Sequence, residues 1–359
     1  MFLARDWLHA SDDDAPAPPF QDLGPHGKPR PAIDPLQTQL PRPLYSVMLP
    51  TYEPDQRLRR SLASVLAQAP GPDTMQIAVV DDGSRGTDIH RFVRAIDPTG
   101  RVEIYDHTRR AGLAGNWNRA IGLARGRLVH LLHQDDYVLP GFYDRMERGF
   151  RAAPDAGMAF CRCRIVDGAD RSIKTASRQQ WTPGILSGWL PRIAERQRVQ
   201  TPAAVVARAT YEQLGGFRSD LCHALDWEMW VRIAAAGPVW YDPRVLAVYR
   251  RHGGNESNRL LTSGAVWPDL IQAITLNAEQ LPAAQRTRVR QRSARWYAGS
   301  ALRTAEKQLA HGELDAATRT LSHLPDLLRQ LPAAGERSLP LRRVGILQER
   351  LRTARRRAA

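Results

Sequence analysis

The chain has 359 residues, 43% of them hydrophobic, and a formal net charge of +14, which allows one large domain with an appendage, or two domains. No apolar run approaches the ~18 residues of a membrane-crossing helix, and Met1-Phe2-Leu3-Ala4-Arg5-Asp6 lacks the apolar core of a signal peptide. The cysteines Cys161, Cys163 and Cys222 form no CxxC pair, which argues against a zinc site or disulfide framework and for reduced thiols in a cytoplasmic protein.

Residues 1–43 are proline-rich and lack apolar periodicity, so an irregular leader is expected. The first strand is Tyr45 to Leu49, stopped by Pro50 and Thr51. A helix from Gln56 to Gln68 follows, with Leu58, Leu62, Val65 and Leu66 on one face. Met75 to Val80 is a second buried strand, closed by Asp81-Asp82-Gly83-Ser84. A helix from Thr87 to Ile96, a strand from Val102 to Tyr105 and a helix from Asn116 to Ala124 come next. Leu128 to Leu132 is a compact apolar strand that runs into His133-Gln134-Asp135-Asp136. This alternation, in steps of about thirty residues, implies an α/β fold with a largely parallel sheet and helices on both faces.

After Asp136 the rhythm loosens. A helix is expected from Phe142 to Phe150 and a strand from Met158 to Val166, with Cys161 and Cys163 on one face. Ser172 to Arg198 shows no clear period. Ala203 to Ala207 is strand-like, Leu225 to Ala236 is a helix closed by Gly237-Pro238, and Val239 to Tyr249 gives short strands broken at Pro243. From Ala265 onward the pattern is helical. Three regions result: the leader at 1–43, a catalytic domain at 44–262, and a basic helical region at 263–359, expected to be separate from the chemistry. Between Leu281 and Ala359, 17 Lys and Arg face 6 Asp and Glu, so most of the surplus charge lies there.

Two adjacent carboxylates just past a buried strand sit where open α/β sheets bind ligands. Asp135 and Asp136 repel each other unless a cation or donor shares them. Hard oxygen ligands in that pose suit Mg²⁺ or Mn²⁺, with substrate phosphates completing the shell. A solvated acidic turn is the plainer alternative.

In order and spacing, the motifs resemble the inverting family 2 glycosyltransferases with the GT-A fold. They are Ser46-Val47-Met48-Leu49-Pro50-Thr51-Tyr52, Val79-Val80-Asp81-Asp82-Gly83-Ser84, Gly115-Asn116-Trp117-Asn118, His133-Gln134-Asp135-Asp136, Gly215-Gly216-Phe217 and Leu225-Asp226-Trp227-Glu228-Met229-Trp230-Val231-Arg232. The resemblance covers about Tyr45 to Asn258. It implies a nucleotide-diphosphate sugar as donor and a saccharide or lipid-linked acceptor, in polysaccharide or glycolipid synthesis. It places Pro50, Thr51 and Tyr52 along the nucleotide base, and a base-binding carboxylate at Asp81 or Asp82, the latter first. Asp136 would ligate Mn²⁺ or Mg²⁺, and Asp135 would touch ribose or metal. Asp226 would be the catalytic base; a residue interacting with its helix dipole is the alternative. Glu228 should point away. Tyr249-Arg250-Arg251-His252 would close over the diphosphate, unless it is a solvated basic loop. Asn116 either caps its helix or faces the ligand. Cys222, His223 and Trp227 either line an acceptor pocket or pack in the core.

A sugar-phosphate nucleotidyltransferase would need a glycine-rich loop after the first strand, which Pro50-Thr51-Tyr52-Glu53 is not. A non-catalytic binding protein with nucleic acid on its tail is disfavoured, because the arginines from Arg286 to Arg295 fall mostly at every second residue without interleaved aromatics. The basic tail suits either an anionic membrane surface, which the resemblance implies at the inner face of the cell membrane, or a soluble helical extension that packs on the catalytic domain or dimerises.

Overall fold

The computed structural model describes residues 30–37, 41–254, 256–331 and 338–358. The first half is strand–helix alternation: β1 (Tyr45–Thr51), α1 (Gln56–Leu66), β2 (Met75–Asp81), α2 (Ile89–Arg94), β3 (Glu103–Tyr105), α3 (Gly112–Leu123) and β4 (Leu128–Leu131). β1 pairs in parallel with both β2 and β4, and β2 with β3. Period-two side chains feed two cores. Val47, Leu49, Ile77 and Val79 pack on one face of the sheet, Met48, Ala78 and Val80 on the other.

The second half is β5 (Tyr137–Val138), α4 (Phe142–Ala152), β6 (Met158–Val166), β7 (Ser172–Thr175), β8 (Gly184–Ile185), α5 (Trp189–Glu195), β9 (Ala204–Ala207), α6 (Arg208–Leu214), α7 (Leu225–Ala236) and β10 (Val239–Arg250). The sheet order is β3-β2-β1-β4-β9-β6-β10-β5, with β7 beside β6 and β8 beside β10. β9 is antiparallel to both β4 and β6, while β10 runs parallel to β6. The sheet is therefore parallel through its first half and mixed through its second. Cys161 and Cys163 lie buried on one face as expected, and burial pushes both thiols above their ordinary pKa.

Several expectations are corrected. α3 begins at Gly112, so Asn116 lies inside the helix and caps nothing. β10 is one strand: a register shift between Asp242 and Val245 absorbs Pro243 without ending it, the bulge sparing a residue that cannot donate to the ladder. The unpatterned stretch holds β7, β8 and α5. β7 is exposed at every position, so no alternation could mark it. Most of the leader lies outside the described residues. Its part from 30 to 37 has no regular structure, yet it is docked: Ile33 is buried, and Pro31 O accepts from Gly216 N at 2.8 Å.

The C-terminal helices are α8 (Glu256–Ser263), α9 (Val266–Glu279), α10 (Ala283–Ala310), α11 (Leu314–Ser322), α12 (Leu324–Arg329) and α13 (Ser338–Ala358). They do not stand apart from the catalytic fold. Trp267, Ile274, Tyr297 and Leu324 belong to the same buried cluster as Trp117, Trp227 and Trp230. No helix of the described residues is long and apolar enough to cross a membrane.

Candidate active site

A cleft of about 930 Å³ opens over the carboxyl ends of the parallel strands. The first wall follows β1 and β2. Pro50, Thr51 and Tyr52 line it with Asp82. Tyr52 is 37% exposed, and the Arg110 guanidinium lies 3.9 Å over its ring. Asp82 is buried and accepts from Ala111 N at 2.7 Å and Gly112 N at 2.9 Å. Its carboxylate thus takes the donors at the start of α3, where partial positive charge gathers. Asp81 is off the cleft: its two oxygens close the turn on Ser84 N and Oγ at 2.7 and 2.6 Å. Asn116 lines the cleft, with Nδ2 donating to Val80 O at 3.0 Å and a buried Oδ1 that has no partner.

The second wall follows β4 and β10. Gln134, absent from the residues expected to matter, ties two loops together. Its side-chain amide accepts from Tyr52 N and donates to Tyr52 O, both at 3.0 Å. Asp135 lines the cleft, and His252 Nε2 sits 3.0 Å from its Oδ2. Burial works against the Asp135 charge, but the His252 contact and His133 hold its carboxyl below the ordinary value. Asp136 lies behind it, 1% exposed. Its Oδ1 accepts from Arg250 N at 2.9 Å, and its Oδ2 has no hydrogen-bond partner, with His133 Nδ1 3.5 Å away. Burial and then Asp135 push Asp136 up to about 6. His133 stacks on Trp117 at 4.6 Å.

The Arg250 expectation is corrected. Its guanidinium is turned away, 3% exposed, donating to Asp135 O at 3.0 Å and paired with Asp170 at 2.8 Å. Arg110 and His252 do face the cleft.

His133, Asp135 and Asp136 each offer a ligand atom, all within 4.8 Å of one another. The orphaned Asp136 Oδ2 and the unpartnered His133 Nε2 are what a divalent ion would satisfy. Two carboxylates and one imidazole fit Mn²⁺ or Mg²⁺, the hard-ligand share dominating.

The third wall carries Asp226 on the first turn of α7, with Thr201 and His223. Asp226 Oδ1 accepts from Trp227 N at 2.6 Å, and Oδ2 faces Thr201 Oγ1 at 3.4 Å. Burial pushes its carboxyl up to about 6. Glu228 points away into a buried ion pair with Arg232 at 2.7 Å, and Arg232 also donates to Leu214 O and Gly216 O. Asn118 clamps the adjoining turn: its Oδ1 accepts from Phe217 N and its Nδ2 donates to Phe217 O. A Cβ on Gly216 would lie 2.3 Å from Asn118 Oδ1, so this motif is scaffold. Of the three residues left open between pocket and core, His223 and Cys222 line the cleft, while Trp227 packs against Tyr297 at 5.2 Å.

α7 has no side-chain cap of its own. The segment leading into it is held from α9. Asp269, 6% exposed, accepts from Cys222 N at 2.6 Å, His223 N at 3.0 Å and Ala224 N at 2.7 Å. From α10, Tyr297 Oη accepts from Gln197 N at 3.2 Å. The C-terminal region therefore holds the segment that presents Asp226, against the expectation that it is separate from the chemistry.

A mixed α/β sheet whose parallel strands end in a carboxylate-lined cleft is a GT-A-type fold. Residues 46–220, 175 of the 359, match the model described as glycosyl transferase family 2, the family that the sequence resembles. Over 233 residues it is 28% identical to an uncharacterized protein of Mycobacterium tuberculosis, covering 62% of this chain and 72% of that one. It is 34% identical over 127 residues to the succinoglycan biosynthesis protein ExoO of Rhizobium meliloti, which is 35% of this chain and only 33% of ExoO. The solved structure of S. aureus TarS 1-349 in complex with UDP-GlcNAc is similar in fold, with a TM-score of 0.61 at 15% identity, over 86% of this chain and 90% of that one.

Proposed function

We propose that this protein is an inverting, metal-dependent family 2 glycosyltransferase, moving a sugar from a nucleoside diphosphate to an acceptor hydroxyl in cell-surface polysaccharide or glycolipid synthesis. The observation that carries it is that Asp226 and Asp135 line one cleft with Pro50, Thr51 and Tyr52. The UDP-GlcNAc bound to the TarS structure and the role in ExoO's name support a nucleotide-sugar donor and a polysaccharide product.

The donor's base lies along Pro50 to Tyr52, with the Tyr52 ring and Arg110 as its platform, and Asn116 Oδ1 and Asp82 as acceptors. Its diphosphate lies toward Asp135 and His252. His133, Asp135 and Asp136 would hold Mn²⁺ or Mg²⁺, which when bound supplies positive charge to the leaving diphosphate. Asp226, with its carboxyl raised to about 6, is ionised at neutral pH yet basic enough to accept a proton. Oδ2 is the acceptor oxygen, because Oδ1 already holds Trp227 N. As Oδ2 takes the hydroxyl proton, the acceptor oxygen bonds to the anomeric carbon. The bond from that carbon to the diphosphate breaks, and its electron pair leaves with the diphosphate. One displacement inverts the centre, unlike the paired carboxylates of a retaining glycosidase.

The test is a donor screen by nucleoside diphosphate release, with Mn²⁺, Mg²⁺ or EDTA. EDTA abolishes transfer, and Asp226→Asn lowers kcat by about 10²-fold or more at unchanged donor KM. Full turnover by that variant makes Asp226 a structural residue and nothing more.

The arginine surplus beyond Leu281 supports peripheral placement at an anionic membrane face on the cytoplasmic side. Each arginine near such a surface contributes about 1 kcal/mol, weakened by salt. The full chain should sediment with anionic liposomes at low salt and not with neutral ones; recovery in the supernatant with both removes the membrane role.

A further inference from the structure

The stretch from Ser177 to Thr201 leads from an exposed loop into the cleft. Among the described residues, Arg178, Arg192, Arg196 and Arg198 make no ion pair. Glu195, whose charge acts on Arg198, pairs with Arg292 at 3.5 Å. Three of these guanidinium groups lie on tryptophan rings: Arg178 at 4.2 Å from Trp181, Arg192 at 5.3 Å from Trp189, and Arg196 at 4.0 Å from Trp296. Trp181 is 81% exposed and Trp296 45%. Stacking fixes the plane of a guanidinium and leaves its N–H edges free for an oxyanion. Flat aromatic faces left open to water mark a binding surface rather than a core.

The parts are joined. Arg192 Nη2 donates to Gln179 O at 3.1 Å and Oε1 at 2.9 Å. Arg198 Nε donates to Arg192 O at 2.7 Å. Gln197 Oε1 accepts from Arg198 N at 3.0 Å. Gln197, Gln200 and Thr201 then form the cleft wall beside Asp226. Burial followed by Arg196 and Arg192 lowers the Arg198 guanidinium to about 10, outweighing the opposing pull of Glu195. Crowded positive charge of this kind is relieved by an anion. The donor phosphates do not supply it, because in the transferase reading they lie toward Asp135 and His252.

We propose that this shelf seats the acceptor, a glycan bearing acidic groups, with sugar rings on Trp181 and Trp296 and carboxylates or phosphates on Arg178, Arg196 and Arg198. The inference rests on the transferase reading, but its test uses binding alone, so the two fail separately.

The full chain is titrated by calorimetry with oligogalacturonate, phosphorylated dextran, neutral dextran and inorganic polyphosphate. At least one acidic glycan should bind about ten-fold or more tighter than neutral dextran, the scale of one charge-assisted contact. Whether oligogalacturonate or phosphorylated dextran leads tells carboxylate from phosphate. Arg196→Gln with Arg198→Gln should remove that advantage while nucleoside diphosphate binding stays intact. Trp181→Ala with Arg178→Gln, on a loop too exposed to carry the fold, should weaken acidic glycans by several-fold. Equal binding of neutral and acidic glycans overturns the proposal, as does full binding by both variants. Polyphosphate matching the acidic glycans, with the Trp181 variant unaffected, overturns it by marking a general polyanion surface.

Discussion

The two sides of the cleft are built in different ways. The proposed donor side comes from neighbouring strand ends, with Pro50 to Tyr52, Asp82 and Asp135 at or just past the ends of parallel strands whose ladder sets their positions. The proposed acceptor side is assembled from distant pieces: Thr201 before β9, Asp226 on α7, Asp269 on α9 and Tyr297 on α10. The donor side thus inherits its geometry from the sheet. The acceptor side depends on tertiary packing that includes the C-terminal helices.

The sharpest way to break this comparison is to remove those helices. A chain ending near Thr262 loses Asp269, Trp267 and Tyr297 together, exposing the core that they complete. Complete loss of transfer is expected, with a poorly folded product by circular dichroism; an active truncated enzyme would show that the acceptor side stands alone. A narrower test is Asp269→Asn. It keeps size but surrenders a carboxylate that serves three amides, each buried donor left unpaired costing about 1–3 kcal/mol. The expected result is a kcat fall of about ten-fold with donor KM unchanged. A rise in donor KM alone would place its effect on the other side.

The smallest effect concerns pH. Burial raises the Asp226 carboxyl to about 6, and the proposed base must be ionised, so kcat should fall as pH drops through about 6. The same shift means that the folded state favours the protonated form. Stability from this group is therefore full below the ordinary carboxylate pKa and is lost as pH rises toward 6. Thr201→Val removes the one hydroxyl facing Oδ2 and should move the acid limb upward by a fraction of a unit. An unmoved limb assigns the titration elsewhere.

Much of the donor side was legible because strand ends leave local marks. Apolar runs stopped at Pro50, Asp81 and Asp135 located the cleft edge. The motif around Asp226 located the candidate base. What stayed hidden was direction. Asp81 and Asp82 are neighbours, yet one closes a turn and the other reaches the cleft wall. Arg250 follows a strand like the other site residues, but an acidic partner from another loop, Asp170, turns it inward. Asp269 was invisible for a different reason. It is 47 residues from Cys222, whose amide it holds, and one aspartate in an amphipathic helix looks like any solvated surface residue.

Asp269 also imposes an order of events during synthesis. Chains emerge from the ribosome N-terminus first, and domains fold as units when their parts are available. The parallel block, from β1 to β4, has all of its strands long before α9 appears. The amides of Cys222, His223 and Ala224 have to wait for it. The strand ends that line one side of the cleft are therefore made before Asp226 can be held, and the loop bearing it is secured only when the C-terminal helices arrive. Completion of the cleft is thus delayed until synthesis has passed the residue that fixes this loop.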